Sequence, residues 1–571
     1  MERFFNTAGP LNPNEHYILD PLSRWDLSEV LTLIHQKKYF LLHAPRQTGK
    51  TTCLKALRDH LNEAGSYRCV YVNVEAGQAA RNDIEAAMAA IFRELALEAQ
   101  DQLQDQWPEE HWRTILQQDK ALSALGSLLR GWCLHNPKPL VLLIDEIDSL
   151  LGLSLISVLR QLRLGYPKRP DRFPNSIVLC GLRHLRDYRM ELGEEGEYLV
   201  KGGSPFNIHS ESLRLGGFSL RDIQTLYAQH TQETDQRFEE GVCKRVFELT
   251  RGQPWLVNAL AYDVCFRNKA GQDRSKVITV SDMEAAKERL IQRRETHLDQ
   301  LMAKLKQERV HRVIEPMLLG IEQPMSPQDV EYVQDLGLIH CELNGEMRIA
   351  NPIYHEVIPR QLSYKHQLGI QRRQADYVTA TTGKLHVKKL LQTFQQFFRE
   401  NADSWLEGFQ YKEAGPHLIL QAFLQRIING GGSIHREYAL GRGRTDLLIT
   451  WPHHAAVATQ AAQKVAIDSL SSRPSTQCQQ SPLGPQQRRA HYQRAQHQRI
   501  VLELKLLRQK DGFDKKRAEG LEQTAEYMDG CGATEGHLLL FDRRPGKSWD
   551  ERIWVKPEKS SDGKKITLWG L

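Results

Sequence analysis

Lys38-Tyr39-Phe40-Leu41-Leu42-His43-Ala44-Pro45-Arg46-Gln47-Thr48-Gly49-Lys50-Thr51-Thr52 decides the reading of the N-terminal half. Residues 38–43 are a short apolar run suited to a buried strand, and a helical pattern follows from Cys53 to Leu61. Strand, loop and helix are the setting that the phosphate-cradling motif G-x-x-x-x-G-K-[ST] requires. Gly49 lets backbone N–H groups turn inward around phosphates, Lys50 reaches the terminal phosphates of a nucleoside triphosphate, and the Thr51 hydroxyl can ligate Mg²⁺. Ala44 stands where the motif has its first Gly, a small residue that fits if the local φ is negative. The expected nucleotide-binding set is Ala44, Pro45, Arg46, Gln47, Thr48, Gly49, Lys50, Thr51 and Thr52.

Downstream, Leu140-Val141-Leu142-Leu143-Ile144-Asp145-Glu146-Ile147-Asp148 is an apolar strand ending in carboxylates, a Walker B pattern. Asp145 is expected to hold the Mg²⁺ ion together with Thr51, and Glu146 to polarise the attacking water. A third apolar strand, Ser176 to Gly181, leads into Arg183, His184 and Arg186, where a γ-phosphate sensor is commonly carried. With Asp-Glu closing its Walker B strand, this half resembles the AAA+ and STAND classes of ATPase, in the branch near the replication-origin-recognition ATPases. Residues 219–300 read as helices and contain Thr250-Arg251-Gly252-Gln253-Pro254-Trp255, similar to the Gly-x-Pro turn of those lid domains. The resemblance implies that the turn starts a helix near the nucleotide and that Arg251 approaches the phosphates. It also places Tyr17 to Arg24 where related ATPases grip the adenine base. The ATPase domain is therefore assigned to residues 1–215 and the helical lid to 216–304.

Residues 305–365 read as helix, helix and a two-stranded wing, Ile339 to Leu343 and Met347 to Ala350, turning at Asn344-Gly345. This resembles a winged helix, a module that reads DNA through a helix in the major groove. The helix in that position carries Asp329, Glu331 and Asp335, and this acidity favours a packing or signalling role over phosphate contact. Residues 366–410 read as a helical connector. Its aromatic cluster, Phe394, Phe397, Phe398 and Trp405, is expected to be core.

In residues 411–571, Ile434 to Ile449 reads as two strands around a Gly-rich turn, with Asp446 in the second, and Arg499 to Lys505 is a further strand. Glu503 and Lys505 are two apart and so share one face. An Asp followed by Glu-x-Lys on a neighbouring strand resembles the PD-(D/E)XK nuclease superfamily. Glu413 before the core, and Gln523 with Tyr527 four apart on a later helix, add to the resemblance. It implies that Glu413, Asp446 and Glu503 hold Mg²⁺ or Mn²⁺ and that Lys505, with Gln523, serves hydrolysis. Residues 453–497, rich in His, Ala, Gln, Ser and Arg, read as a disordered insertion. Within it Gln463 to Asp468 echoes Gln498 to Glu503, with Leu470 in place of the lysine, so the active site is assigned to the later copy.

At 571 residues the chain is too long for one core. It is expected to be an α/β multidomain protein: a P-loop NTPase with helical lid and winged helix, followed by a mixed α/β restriction-endonuclease-like domain. Nine cysteines are scattered without zinc-ligand spacing and are expected to be reduced thiols. No apolar window has the length of a membrane span, and no apolar stretch precedes Pro10, so no membrane partner and a cytoplasmic location are expected. The net charge of +6 is modest, but basic residues cluster at Arg442 and Arg444, from Arg488 to Arg499, and from Lys505 to Arg517, which points to DNA as a partner. The functional expectation is ATP hydrolysis gating metal-dependent DNA cleavage, an architecture suited to mobile-element control or phage defence. The alternative is a STAND-like regulatory switch whose degenerate nuclease fold binds nucleic acid or a partner without cleaving. A homo-oligomer stays open, because no arginine finger is identifiable among the 76 basic residues.

Overall fold

A computed structural model describes residues 2–9, 11–182, 209–293, 295–319, 324–342, 345–362, 377–379, 382–408, 415–428, 432–440, 443–453, 496–507, 512–544 and 546–571. The chain divides into two compact units, Met1–Tyr354 and His355–Leu571.

In the first unit β1 (Tyr39–His43), β2 (Arg68–Asn73), β3 (Leu140–Asp145), β4 (Ser176–Gly181) and β5 (His209–Arg214) form a parallel sheet in the order β2-β3-β4-β1-β5. The first four strands are buried almost end to end, as a sheet covered on both faces demands. Period-two alternation divides their side chains. Tyr39, Leu41, Val70, Leu142 and Leu179 pack against residues of α3 (Ile84–Leu103), α5 (Ala124–His135) and α6 (Gly152–Gly165). Phe40, Leu42, Tyr71, Leu143 and Cys180 pack against α1 (Leu27–His35) and α2 (Lys50–Ala64). A further helix, α4 (Trp107–Asp119), sets Trp107, Trp112 and Ile115 against the first of these cores. Because β4 lies between β1 and β3, the loop after β1 and the carboxylates after β3 both open at the C-terminal edge of the sheet, separated by one strand.

In the region expected to be a helical lid, the chain forms α7 (Leu220–Thr234), α8 (Val242–Thr250), α9 (Pro254–Tyr262), α10 (Val280–Arg293) and α11 (Thr296–Ala303). Ser219 and Asp222 start α7 with a reciprocal capping box, and Gln253 caps α9 by accepting from the Leu256 N–H, with Pro254 at its first position. Then come α12 (Glu308–Leu319), α13 (Pro327–Asp335), an antiparallel pair β6 (Ile339–Cys341) and β7 (Met347–Ile349), and α14 (Pro352–Leu362). Asn344 of the expected turn lies outside the described residues. The acidity of α13 has a structural use: Asp329 is buried and accepts from Arg309 and Arg312 of α12, each at 3.0 Å. At the other end of α13, Asp335 stands 3.6 Å from His43, and Arg214 donates to the Gln334 carbonyl at 3.1 Å.

The second unit holds a mixed sheet of β8 (Ser433–Leu440), β9 (Gly443–His453), β10 (Gln496–Leu507), β11 (Glu535–Asp542), β12 (Trp554–Lys559) and β13 (Lys565–Gly570), in the order β12-β13-β11-β10-β9-β8. β8, β9 and β10 run antiparallel in turn, and β10, β11 and β13 run parallel. Its helices are α15 (Val387–Gly408), α16 (Gly415–Ile428), α17 (Phe513–Cys531) and α18 (Trp549–Arg552). Leu521, Ala525 and Met528 of α17 pack with Leu448, Val501, Leu507 and Leu538 of the sheet. Phe394 and Phe398 of α15 meet Phe423 and Phe541 at 5.3 and 5.5 Å between ring centroids. The side chain of Trp405 lies outside the described residues. β9 reaches His453 and β10 starts at Gln496, so strands occupy both ends of the expected 453–497 insertion. Residues 454–495, with the echo Gln463 to Asp468, lie outside the described residues.

Candidate functional site

The loop from Ala44 to Gly49 turns sharply before α2. Gly49 caps the helix with φ of 95°, a conformation open to glycine at no steric cost, and Gln47 is left-handed as well, with φ of 56°. Lys50 is buried, and its ammonium donates to the carbonyls of Ala44 and Pro45 at 2.9 and 3.2 Å. The lysine is thus folded back over the loop it belongs to, and phosphates entering there would exchange for two carbonyl partners.

Asp145 is fully buried at the end of β3. Its Oδ2 accepts from the Thr51 hydroxyl at 2.6 Å and from the Tyr71 hydroxyl at 3.0 Å, and its Oδ1 accepts from the Glu146 N–H at 2.9 Å. Thr51 and Asp145, distant in sequence, are brought into direct contact, a donor pair that fits a hard divalent cation. Glu146 is left-handed with φ of 55°, and burial, then the neighbouring Asp148 carboxylate, raise its pKa. Tyr71 was not legible as a site residue. It sits in the middle of β2, where a buried aromatic reads as core, and only sheet order brings its hydroxyl to Asp145. Tyr71→Phe is expected to lower ATP turnover about tenfold, the worth of one hydrogen bond to a charged group. The Mg²⁺ concentration for half-maximal rate should rise while KM for ATP stays near its starting value. An unchanged Mg²⁺ titration would refute the role.

Arg24 ends the segment expected near the base. Its guanidinium donates to the Thr48 carbonyl at 3.2 Å and the Gly216 carbonyl at 2.6 Å, and lies over the Phe218 ring at 4.5 Å. It therefore ties the phosphate loop to the segment between β5 and α7. Tyr17 is buried, with its hydroxyl 3.1 Å from His230 Nδ1 of α7 and its ring beside Phe5, so packing against the lid occupies it. Gly252 has φ of 74°, and a Cβ there would run into the carbonyl oxygen of Phe218. Gly252→Ala is expected to cost about 2–4 kcal/mol through strain and overpacking. A thermal unfolding midpoint unchanged from the parent would refute this.

A cleft of about 470 Å³ runs from the phosphate loop to α11 and β6, lined among others by Arg46, Thr48, Arg214, Arg251, Lys304 and His340. Arg251, left-handed with φ of 50°, and the phosphate-loop residue Thr48 thus share one cavity. Burial, with Arg214 and Lys50 nearby, lowers the pKa of the buried His43 to about 4, so the imidazole is neutral at pH 7. Arg183, His184 and Arg186 lie outside the described residues.

Residues 34–188 match the family model described as an AAA domain. The first unit carries an AAA-type P-loop ATPase domain. Solved structures similar to the chain include a Walker-type ATPase of Pyrococcus abyssi, at 16% identity over 62% of this chain and 99% of that one, with a TM-score of 0.42. The Thermotoga maritima RuvB Holliday junction branch migration motor matches at 15% over 58% and 95%, TM-score 0.31. Cdc6p of Pyrobaculum aerophilum matches at 14% over 59% and 93%, TM-score 0.31. A search of curated proteins returned no match. No helix among the described residues is long and apolar enough to cross a membrane.

Outside the AAA domain, the second candidate constellation lies on β9, β10 and α17. In the antiparallel register of β9 with β10 Leu447 stands opposite Leu502, and the next residues on the two strands are Asp446 and Glu503. Val501 and Leu507 pack toward α17, so alternation puts Glu503 and Lys505 on that face too. Glu503 is buried, and its Oε1 accepts from Lys505 Nζ at 2.8 Å. On α17 the Gln523 Oε1 is buried without a hydrogen-bond partner, and Tyr527 is buried one turn on. Glu413 and the side chain of Asp446 lie outside the described residues. Among the described residues no group of three or more His, Cys, Asp or Glu could hold a metal ion.

Proposed function

We propose that ATP binding and hydrolysis in the first unit control metal-dependent cleavage of DNA by the second. The observation that carries the nuclease reading is the register of β9 and β10, in which Asp446 follows the last pair beside Glu503, with Lys505 Nζ on the Glu503 carboxylate. The order of elements, α16, three antiparallel strands, α17 and the parallel strand β11, supports it. The donor chemistry fits a divalent ion: a buried carboxylate on β10, and an orphaned amide oxygen, Gln523 Oε1, on the helix that packs over that sheet face. Glu413, Asp446 and Glu503 would hold Mg²⁺ or Mn²⁺, which supplies an activated water and charge neutralisation at phosphorus. Lys505 would orient the attacking water by donating a hydrogen bond to it, and Gln523 Oε1 would accept a hydrogen bond from the site.

At the ATPase site Thr51 and Asp145 would hold the Mg²⁺ that accompanies ATP and neutralises its phosphates. Lys50 leaves the Ala44 and Pro45 carbonyls for the terminal phosphates, and Glu146 orients the attacking water. Arg251 adds charge from the lid side of the cleft. The test is purified full-length chain with Mg²⁺ or Mn²⁺ and ATP on plasmid and linear DNA. Uncut DNA, with Lys505→Ala indistinguishable from the parent, would remove the nuclease reading.

A specific contact favours the second reading, a regulatory switch. The wing segment closes on the cleft through Gly337, against the Pro45 ring, and through Arg214 on the Gln334 carbonyl. Tight DNA binding without turnover, unaffected by Glu503→Gln, would select it.

A further inference from the structure

A second cleft of about 290 Å³ opens in the second unit where β10 and β11 end, beside β12 and β13. Five cations line it, Arg517, Arg544, Lys547, Arg552 and Lys556, against two carboxylates, Asp542 and Glu558. Asp542 is held by Arg544 at 2.6 and 2.8 Å and by Lys547 at 2.9 Å, while Glu558 accepts from Arg517 at 3.0 Å. These pairs order the floor of the cleft and leave a surplus of positive charge.

The surplus lies on Arg552 and Lys556. The Arg552 Nε is buried with no hydrogen-bond partner, while its Nη2 donates to the Arg544 carbonyl at 3.2 Å and its guanidinium lies over the Trp549 ring at 5.4 Å. A buried N–H left unpaired costs about 1–3 kcal/mol, and such groups are ordinarily satisfied by something. Lys556 is exposed, stacked on the Trp554 ring at 5.4 Å. A guanidinium with an unsatisfied N–H beside a second, exposed cation fits a phosphate diester.

The place of this cleft on the strand decides which phosphate. Leu507 lines it and shares a face of β10 with Lys505 and Glu503, two and four residues back. At about 3.3 Å rise per residue these lie roughly 7 and 13 Å away, the axial span of about two to four base pairs of duplex DNA.

We propose that this cleft grips the backbone phosphates of duplex DNA a few base pairs from the bond cut at Glu503 and Lys505. The proposal rests on the nuclease reading above and adds to it a phosphate subsite with Arg552 and Lys556 as its contacts.

The test is binding of a fluorescein-labelled 30-base-pair duplex to the full-length chain across a KCl series without divalent ions, read by anisotropy. Arg552→Gln with Lys556→Gln is expected to raise Kd about tenfold at low salt and to lower the slope of log Kd against log salt by nearly two, since each lost phosphate contact removes about 0.9. Lys556→Gln alone, at an exposed position that leaves folding intact, should lower the slope by nearly one. A circular dichroism spectrum and thermal unfolding midpoints equal to the parent's report that both variants are folded. A slope unchanged in both variants overturns the subsite, whether or not the parent cleaves DNA. A lowered slope with no cleavage by the parent keeps the subsite and defeats the nuclease reading instead.

Discussion

Lys50→Ala abolishes ATP turnover, with kcat/KM expected to fall at least about 100-fold, equivalent to roughly 2.7 kcal/mol or more of lost transition-state stabilisation. The size follows from burial. The ammonium lies in the loop with its neighbours Ala44 and Pro45 as present partners. Arg46 lines the cleft but its guanidinium donates to Gln300 at 3.0 Å, which holds it toward α11. Folding is expected to survive, because the two carbonyls released are backbone groups of a loop whose Pro45 lines the cleft. Steady-state hydrolysis together with a thermal unfolding scan separates the two effects. Hydrolysis within a few-fold of the parent would remove Lys50 from the site.

Glu503→Gln is expected to reduce DNA cleavage by at least about 100-fold while duplex binding stays within a few-fold, since the amide keeps the shape and loses the charge that a divalent ion requires. It is a cleaner probe than Lys505→Ala. Removing the lysine takes a 2.8 Å partner from a buried carboxylate, which costs about 1.5–3 kcal/mol of stability in addition to any catalytic loss. Lys505→Ala should therefore lower both cleavage and the unfolding midpoint, and Glu503→Gln cleavage alone. Cleavage retained in Glu503→Gln would place any nuclease activity elsewhere.

Both predictions begin from residues that stood out in the sequence because their meaning is local. Gly49, Lys50 and Thr51 are consecutive, and their chemistry is set by a strand, a turn and a helix within one short stretch. Asp145 and Glu146 are legible for the same reason, at the end of an unbroken apolar strand. Glu503 and Lys505 share a face by strand geometry alone.

What surrounds these residues was written in no local pattern. Tyr71 reaches Asp145 because β2 and β3 are neighbours, and Arg24 reaches both Thr48 and Gly216 because the N-terminal segment lies across the phosphate loop. The acidic face of α13 reads as hostile to DNA, but its Asp329 is taken up by two arginines of α12. Arg552 and Lys556 lie far along the chain from the Glu-x-Lys strand, and folding sets them at its end.

The sequence by itself determined the phosphate loop, the carboxylates that follow β3 and the Glu-x-Lys strand, because each depends on backbone geometry over a few residues. The tertiary structure alone decided which side chain steadies Asp145, what shares the cleft with the phosphate loop, and where the second unit gathers unpaired positive charge. Those contacts join residues tens to hundreds of positions apart, and their partners are chosen by strand order and packing, which no short window of sequence encodes.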